Sequence, residues 1–127
     1  MDPYFDHERL EVYRLARAFN REANRVLKEL PPGNHDSKNN LRRAAKSITR
    51  NIAEGSGKWM IADKVHFYHI ARGSATECAA SLDELVDYEL VSEERIQKGK
   101  QILARVVAML IAMIKSIESR GTKDMSS

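Results

Sequence analysis

Four long stretches of this chain carry apolar residues at every third or fourth position, and this spacing limits the possible folds more than any other feature. The second stretch is expected to be helical from Asp36 to Glu54, the third from Ala62 to Tyr88 and the fourth from Glu93 to Ser119. The first is expected from His7 to Leu30, with one apolar stripe formed by Val12, Leu15, Phe19, Ala23, Val26 and Leu30. No stretch alternates apolar and polar residues as a strand would, so the pattern predicts an all-α protein.

Short polar joints separate the four stretches. Pro31 and Pro32 cannot continue a helix, and Gly33 relaxes the turn that follows them. Asp6 is expected to cap the first helix and Ser92 the fourth. Long helices joined by short loops predict an up-down-up-down antiparallel four-helix bundle. We expect a single bundle domain over residues 1–120 and a disordered polar tail over residues 121–127.

Composition places the chain among soluble globular domains and excludes several classes. Its 127 residues suffice for one core, and its single cysteine, Cys78, cannot form an internal disulfide and is expected to lie in the core. No signal peptide or membrane span is evident, so we expect a cytoplasmic protein. The net charge is only +3, but residues 1–75 hold 14 Lys and Arg against 9 Asp and Glu, a balance of +5. The first half is therefore expected to prefer anionic partners.

The stretch GSGK at residues 55–58 looks like the end of a phosphate-binding loop. Such a loop follows a strand and places Ser or Thr after its lysine, whereas here Trp59 follows Lys58 and a helix precedes it. We therefore expect Gly55 to end the second helix in a left-handed conformation, and we expect no nucleotide binding. Gly73 lies inside the third helix, where contact with a crossing helix is the expected reason for it.

Polar residues on the second and third helices are spaced so that they would meet near the joint of the two helices. One interpretation is a buried hydrogen-bonded network that fixes the register of the helices; the other is that the charged members are simply solvated. The predicted network comprises Ser47, Asn51, Glu54, Arg72, Ser74 and Glu77.

Two apolar features have two explanations each. The fourth helix is apolar over more of its circumference than one core requires, so either its neighbours wrap it or a second copy of the chain covers part of it. The segment Trp59-Met60-Ile61 either forms an exposed subunit contact or folds back over the end of the bundle.

The second helix is the most basic element. In a ring of subunits its cations would repeat, and affinity for nucleic acid rises steeply with the number of phosphates neutralised. The predicted nucleic-acid-binding residues are Lys38, Arg42, Arg43, Lys46 and Arg50. The alternative function is a protein-interaction scaffold in which these cations only provide solubility.

Catalysis is not expected. A di-iron bundle needs Glu-x-x-His on two helices, and the nearest match here is Asp63-x-x-His66 with His69 one turn later. No Ser/His/Asp arrangement has local support. We expect no enzyme activity, no metal and no cofactor; a metal-binding or small-molecule-binding bundle is the third possibility.

Two motifs resemble the signature of a known family. LRRAAKSITRNIAEGSGK (residues 41–58) and FYHIARGSATE (67–77) are similar to the 23S rRNA intervening-sequence proteins, once labelled as a ribosomal protein. Relatives include the accessory variability determinant proteins of diversity-generating retroelements. The resemblance implies a four-helix bundle assembled as a homopentameric ring, association with structured RNA or with a reverse transcriptase–RNA complex, and no catalysis. Relatives often enter the third helix through a Ser-Asp cap, and this chain departs from that pattern at Met60 and Ile61.

Overall fold

The computed structural model describes residues 2–126, with side chains described for residues 2–121, and these form four helices. After a short 3₁₀ helix (Asp6–Arg9) come α1 (Glu11–Glu29), α2 (His35–Ser56), α3 (Ile61–Asp87) and α4 (Glu93–Ser126). α1 packs against α2 and α4, and α3 packs against the same two helices. The predicted all-α four-helix bundle is confirmed.

The joints follow the local chemistry of the sequence, with one exception. α1 stops before Pro31, and Gly33 (φ 101°) and Asn34 (φ 54°) then turn the chain. The Ser92 hydroxyl accepts the N–H of Arg95 at 3.1 Å, which caps α4 as predicted. The predicted cap at Asp6 is wrong, because extended backbone at Leu10 (φ −77°, ψ 127°) separates the 3₁₀ helix from α1.

The core lies between the four helices and draws on all of them. Its largest fully buried side chains include Phe19, Leu41, Ile48, Ile52, Leu82, Leu85, Ile96, Leu103 and Leu110. Cys78 is also fully buried, as predicted, and burial raises the pKa of its thiol to about 12.

α4 buries one stripe completely and a second stripe only in part. The second stripe is half-buried against the core and consists of Ile102, Met109, Met113 and Ile117, while the half-buried Val107 lies on the other flank of the buried stripe. The backbone of α4 continues to Ser126, beyond the expected end at Ser119. The expected tail, residues 121–127, falls mostly where side chains lie outside the described residues, so its disorder stays a prediction.

Both expectations about glycines are wrong. Gly55 lies inside α2 with no positive φ, and a Cβ built on it would come 2.7 Å from Cε1 of Tyr68. It is therefore a point of close contact with α3 rather than a helix end. The end of α2 is instead capped by Lys64, whose Nζ donates to the carbonyls of Gly55 (3.2 Å) and Ser56 (3.0 Å). Gly73 is exposed, and nothing lies within 4 Å of a Cβ built there.

Candidate nucleic-acid interface

A row of cations runs along the outer side of α2. Lys38, Arg42, Lys46 and Arg50 are four residues apart, so each is displaced from the last by only about 40° around the helix. Arg42, Lys46 and Arg50 are exposed, as is the adjacent Arg43, while Lys38 is half-buried. The structure thus places all five predicted nucleic-acid-binding residues on one helix, with four of them open to solvent.

The hydrogen bonds of this row leave its charge uncompensated. Lys38 donates to the carbonyl oxygen of Pro31 at 2.7 Å. Arg43 donates to the side-chain oxygen of Asn40 at 3.0 Å. Both acceptors are neutral, so they orient the cations without cancelling their field.

A groove of about 250 Å³ continues the basic surface from α2 to α1. Asn20 and Asn24 of α1 line it opposite Arg42 and Lys46 of α2. The Asn20 amide donates at 2.9 Å to the carbonyl oxygen of Ala45, so α1 and α2 are joined along this groove. Four further exposed cations lie along α1: Arg14, Arg17, Arg21 and Arg25.

The acidic residues of α1 pair with cations of α4, and Glu22 also pairs with Arg25 of α1 at 3.3 Å. Arg95 of α4 contacts Glu29 at 2.6 Å and the buried Glu22 at 2.8 Å, and Arg105 contacts Glu11 at 3.2 Å. Hydrogen bonds to Glu29 and then Glu22 raise the pKa of Arg95, and the bond from Arg95 lowers the pKa of Glu29. All three carboxylates of α1 therefore have a cationic partner on α4. We call the surface of exposed cations on α1 and α2 the basic face.

The ion pair of Glu22 with Arg95 was missed by the sequence analysis. Glu22 is 2% exposed, and its partner is 73 residues away in the chain. Nothing in the local sequence connects the two, because the pairing depends on how α1 packs against α4. The only signal was an acidic residue close to the apolar stripe of α1.

Three of the six predicted network residues come together between α2 and α3. The hydroxyl oxygens of Ser47 and Ser74 lie 2.7 Å apart, and the amide of Asn51 donates to the hydroxyl of Ser47 at 3.0 Å. Ser74 is buried, and Ser47 and Asn51 are half-buried, so these bonds connect the two helices where they pack.

The three charged residues predicted for the network do not join this cluster. Glu54 lies 3.7 Å from the ammonium group of Lys58 instead. Arg72 and Glu77 are exposed on α3, and among the described residues neither side chain has a hydrogen bond or an ion pair. The reason is their position on the helices: the packed seam admits the small hydroxyls, whereas these longer charged side chains point into water.

The segment Trp59-Met60-Ile61 does not fold back as a unit. Trp59 is 96% exposed and Met60 is 68% exposed. Ile61 is 41% exposed but contacts α4, since its Cδ1 lies 2.6 Å from a Cβ built on Gly121. The segment therefore presents two large apolar side chains to solvent beside the end of α2.

The other candidate sites of the sequence lie apart from the basic face. Among the described side chains, no group of three or more His, Cys, Asp and Glu residues is close enough to hold a metal ion. His66 and His69 are exposed on α3. Within the part of the chain that the structure describes, no helix combines the length and the apolar character needed to cross a bilayer.

The fold and this surface define an all-α four-helix-bundle protein with one basic face. The chain belongs to the 23S rRNA-intervening sequence protein family, whose family model matches residues 8–112. The family resemblance predicted from the two motifs is therefore confirmed, while the relation to retroelement proteins stays a prediction. A search of curated proteins found no match.

Proposed function

We propose that this protein is a non-enzymatic RNA-binding protein that holds structured RNA by its phosphate backbone on the basic face. The observation that carries the proposal is the row of cations on α2, exposed at Arg42, Lys46 and Arg50 and without acidic partners, beside the arginines of α1. Residues 11–56 hold 10 Lys and Arg against 5 Asp and Glu, and three of those five acids have cationic partners on α4. The family name refers to 23S rRNA, which favours RNA over DNA as the ligand.

Recognition by shape and charge suits this surface. Lysine and arginine side chains on a helix contact phosphates along a helical backbone without reading the bases. Each contact releases counterions, so affinity falls with salt by roughly 0.7–0.9 units of log K per unit of log salt for every phosphate contacted. A surface with this many cations should therefore show strongly salt-dependent binding.

The test compares two variants of equal charge. Arg42→Gln/Lys46→Gln/Arg50→Gln removes three cations from the basic face. Arg72→Gln/Lys98→Gln/Lys115→Gln removes three exposed cations from α3 and α4 and serves as the matched control. Binding to a structured RNA hairpin is measured by fluorescence anisotropy over a series of salt concentrations.

We expect the basic-face variant to bind more weakly and its salt slope to decrease by about 2–3, while the control keeps the wild-type slope within about 1. Equal losses in the two variants would mean that only net charge matters, and would contradict the proposed surface. Wild-type protein that binds neither RNA nor DNA would favour the protein-scaffold function instead.

We propose further that copies of the chain associate, as a homopentamer, through the half-buried stripe of α4. This assembly is supported by the apolar character of that stripe and of a surface groove of about 370 Å³ that is lined by Leu10, Met113 and Ile117. Association would place several basic faces on one particle and strengthen RNA binding. Light scattering should give about five times the mass of one chain for the wild type and a smaller particle for Met113→Glu; the mass of a single chain for the wild type would contradict the assembly.

A further inference from the structure

The structure brings aromatic rings to the end of the basic row, where no sequence motif indicated an aromatic site. The rings of Phe5 and His7 stack almost parallel, with centroids 5.8 Å apart and an angle of 15° between the planes. Tyr13 of α1 meets His7 edge-on, with centroids 4.6 Å apart. Phe5 is 65% exposed, so this pair presents an open ring to solvent.

The Phe5–His7 pair is held in place before any ligand arrives. The N–H of Phe5 donates to the carboxylate of Glu8 at 3.2 Å, and the N–H of Glu8 donates to the carbonyl oxygen of Phe5 at 3.1 Å. The 3₁₀ helix that carries His7 also packs against α2. An aromatic group that is already ordered loses little entropy when a second ring stacks on it.

Two cation-lined grooves meet at His7. The larger, of about 440 Å³, is lined by His7 together with Arg50 and Lys58. The smaller, of about 250 Å³, is lined by His7 with Arg14 and Arg17 and also by the acidic Glu8. The larger groove falls within the range of volumes that hold small organic ligands.

One acidic residue, Glu54, also lines the larger groove, and its ion pair with Lys58 is weak. The two charged groups are 3.7 Å apart, and both side chains are substantially exposed, at 59% and 39%. Exposed ion pairs of this kind contribute little, so a phosphate can replace the carboxylate as the partner of Lys58. Trp59, the residue after Lys58, is 96% exposed.

We propose that this end of the bundle binds an unpaired nucleotide of the RNA. Its base stacks on the Phe5–His7 pair, and its phosphate lies in the groove between Arg50 and Lys58. The inference rests on the proposed function, because it adds a site for a single-stranded nucleotide to a surface that holds the helical part of the same RNA. Aromatic stacking beside a cationic groove is a common way in which proteins hold single strands without reading their sequence.

The test uses three RNA hairpins with the same stem: one blunt, one with a short single-stranded 5′ extension and one with a 3′ extension. We expect an extended hairpin to bind wild-type protein about tenfold more tightly than the blunt one. Phe5→Leu should abolish this preference and leave the affinity for the blunt hairpin unchanged, since it removes a ring and no charge. Tyr88→Leu is the control, because Tyr88 is also an exposed aromatic residue but lies at the opposite end of the bundle.

The outcomes separate this inference from the function on which it rests. Equal affinity for all three hairpins, or a preference that persists in Phe5→Leu, would overturn the nucleotide site while RNA binding by the basic face stands. Failure to bind even the blunt hairpin would instead contradict the proposed function itself.

The single tryptophan of the chain gives a second, spectroscopic test. Because Trp59 lies next to Lys58, we expect the extended hairpin to quench its fluorescence more than the blunt hairpin does. In Phe5→Leu the quenching should fall to the level of the blunt hairpin. Equal fluorescence changes with both hairpins in the wild type would argue against a nucleotide bound at this groove.

Discussion

Because α2 and α3 are in close contact at Gly55, we expect Gly55→Ala to destabilise the protein. This is the opposite of the usual effect of replacing glycine with alanine in a helix. Replacing a mid-helix glycine with alanine ordinarily stabilises a helix by about 1 kcal/mol. At Gly55 the added Cβ would lie 2.7 Å from Cε1 and 2.9 Å from Cδ1 of Tyr68, and 3.2 Å from Cβ of Phe67. Tyr68 is only 3% exposed, so a shift of its ring would disturb the side chains packed around it.

The magnitude follows from these two opposing effects. Overpacking a buried contact costs up to about 3 kcal/mol, and two distances below 3.0 Å place Gly55→Ala near that limit. Gly55 is the second-to-last residue of α2, so its gain in helix propensity is at most about 1 kcal/mol and the net loss is at least about 2 kcal/mol. For a chain of 127 residues this lowers the Tm by about 7 °C.

Gly73→Ala is the matched control, since it makes the same change inside a helix where nothing lies within 4 Å of the new atom. It should stabilise the protein by up to about 1 kcal/mol, or raise the Tm by about 4 °C. Urea unfolding followed by circular dichroism measures both variants, and repeating it at two protein concentrations keeps association from masking the effect.

A second substitution checks the cause. In Gly55→Ala/Tyr68→Leu the ring that blocks the new Cβ is gone, so the two changes together should cost less than the sum of their separate costs. Gly55→Ala that is as stable as the wild type, or additive with Tyr68→Leu, would refute the argument from close packing.

Three further predictions concern buried groups and are checked by urea unfolding, and alkylation gives a separate check on the third. Arg95→Met should destabilise the protein by about 2–3 kcal/mol because it leaves the buried Glu22 carboxylate poorly compensated. Arg105→Met removes an exposed ion pair and should cost less than about 1 kcal/mol. Similar costs for the two variants would contradict the importance of the buried pair. Ser74→Ala should cost about 1 kcal/mol because it removes a 2.7 Å hydrogen bond between hydroxyls, and a neutral change would mean that this bond does not stabilise the α2–α3 contact. Burial raises the pKa of the Cys78 thiol from 9.0 to about 12, so the folded state favours the neutral thiol. The stability that depends on this neutral thiol should be fully present below about pH 9. The free energy of unfolding should then decline as the pH rises from 9 towards 12. Alkylation of this thiol should proceed only as fast as the protein unfolds, and rapid labelling of the folded protein would contradict its burial.

Local chemistry explains why so much of the fold could be predicted. A stripe such as Val12, Phe19 and Val26 identifies a helix and its buried side without knowledge of what covers it. Pro31 and Ser92 act on the backbone within a few residues of themselves, so the end of α1 and the start of α4 were correct to within one residue.

Two of the wrong predictions, for Gly55 and Glu54, concern residues whose surroundings are set by the packing of α3 against α2. Gly55 resembled a helix end because its neighbour Tyr68 on α3 is invisible to a local pattern. Spacing placed Glu54 and Ser47 on one side of α2, but only the packing of α3 decided that the hydroxyl is enclosed and the carboxylate is left in water.

The candidate site likewise has one part that the sequence predicted and another part that depends on how the helices pack. The sequence by itself determined that Lys38, Arg42, Lys46 and Arg50 form one row, because residues four apart on a helix are neighbours whatever surrounds them. Only the tertiary structure decided that the carboxylates of α1 have partners on α4, and that His7 lines a groove with Arg50 at the end of this row. Helix periodicity fixes the side of a helix on which a residue lies, whereas the choice of partner depends on how separate helices pack.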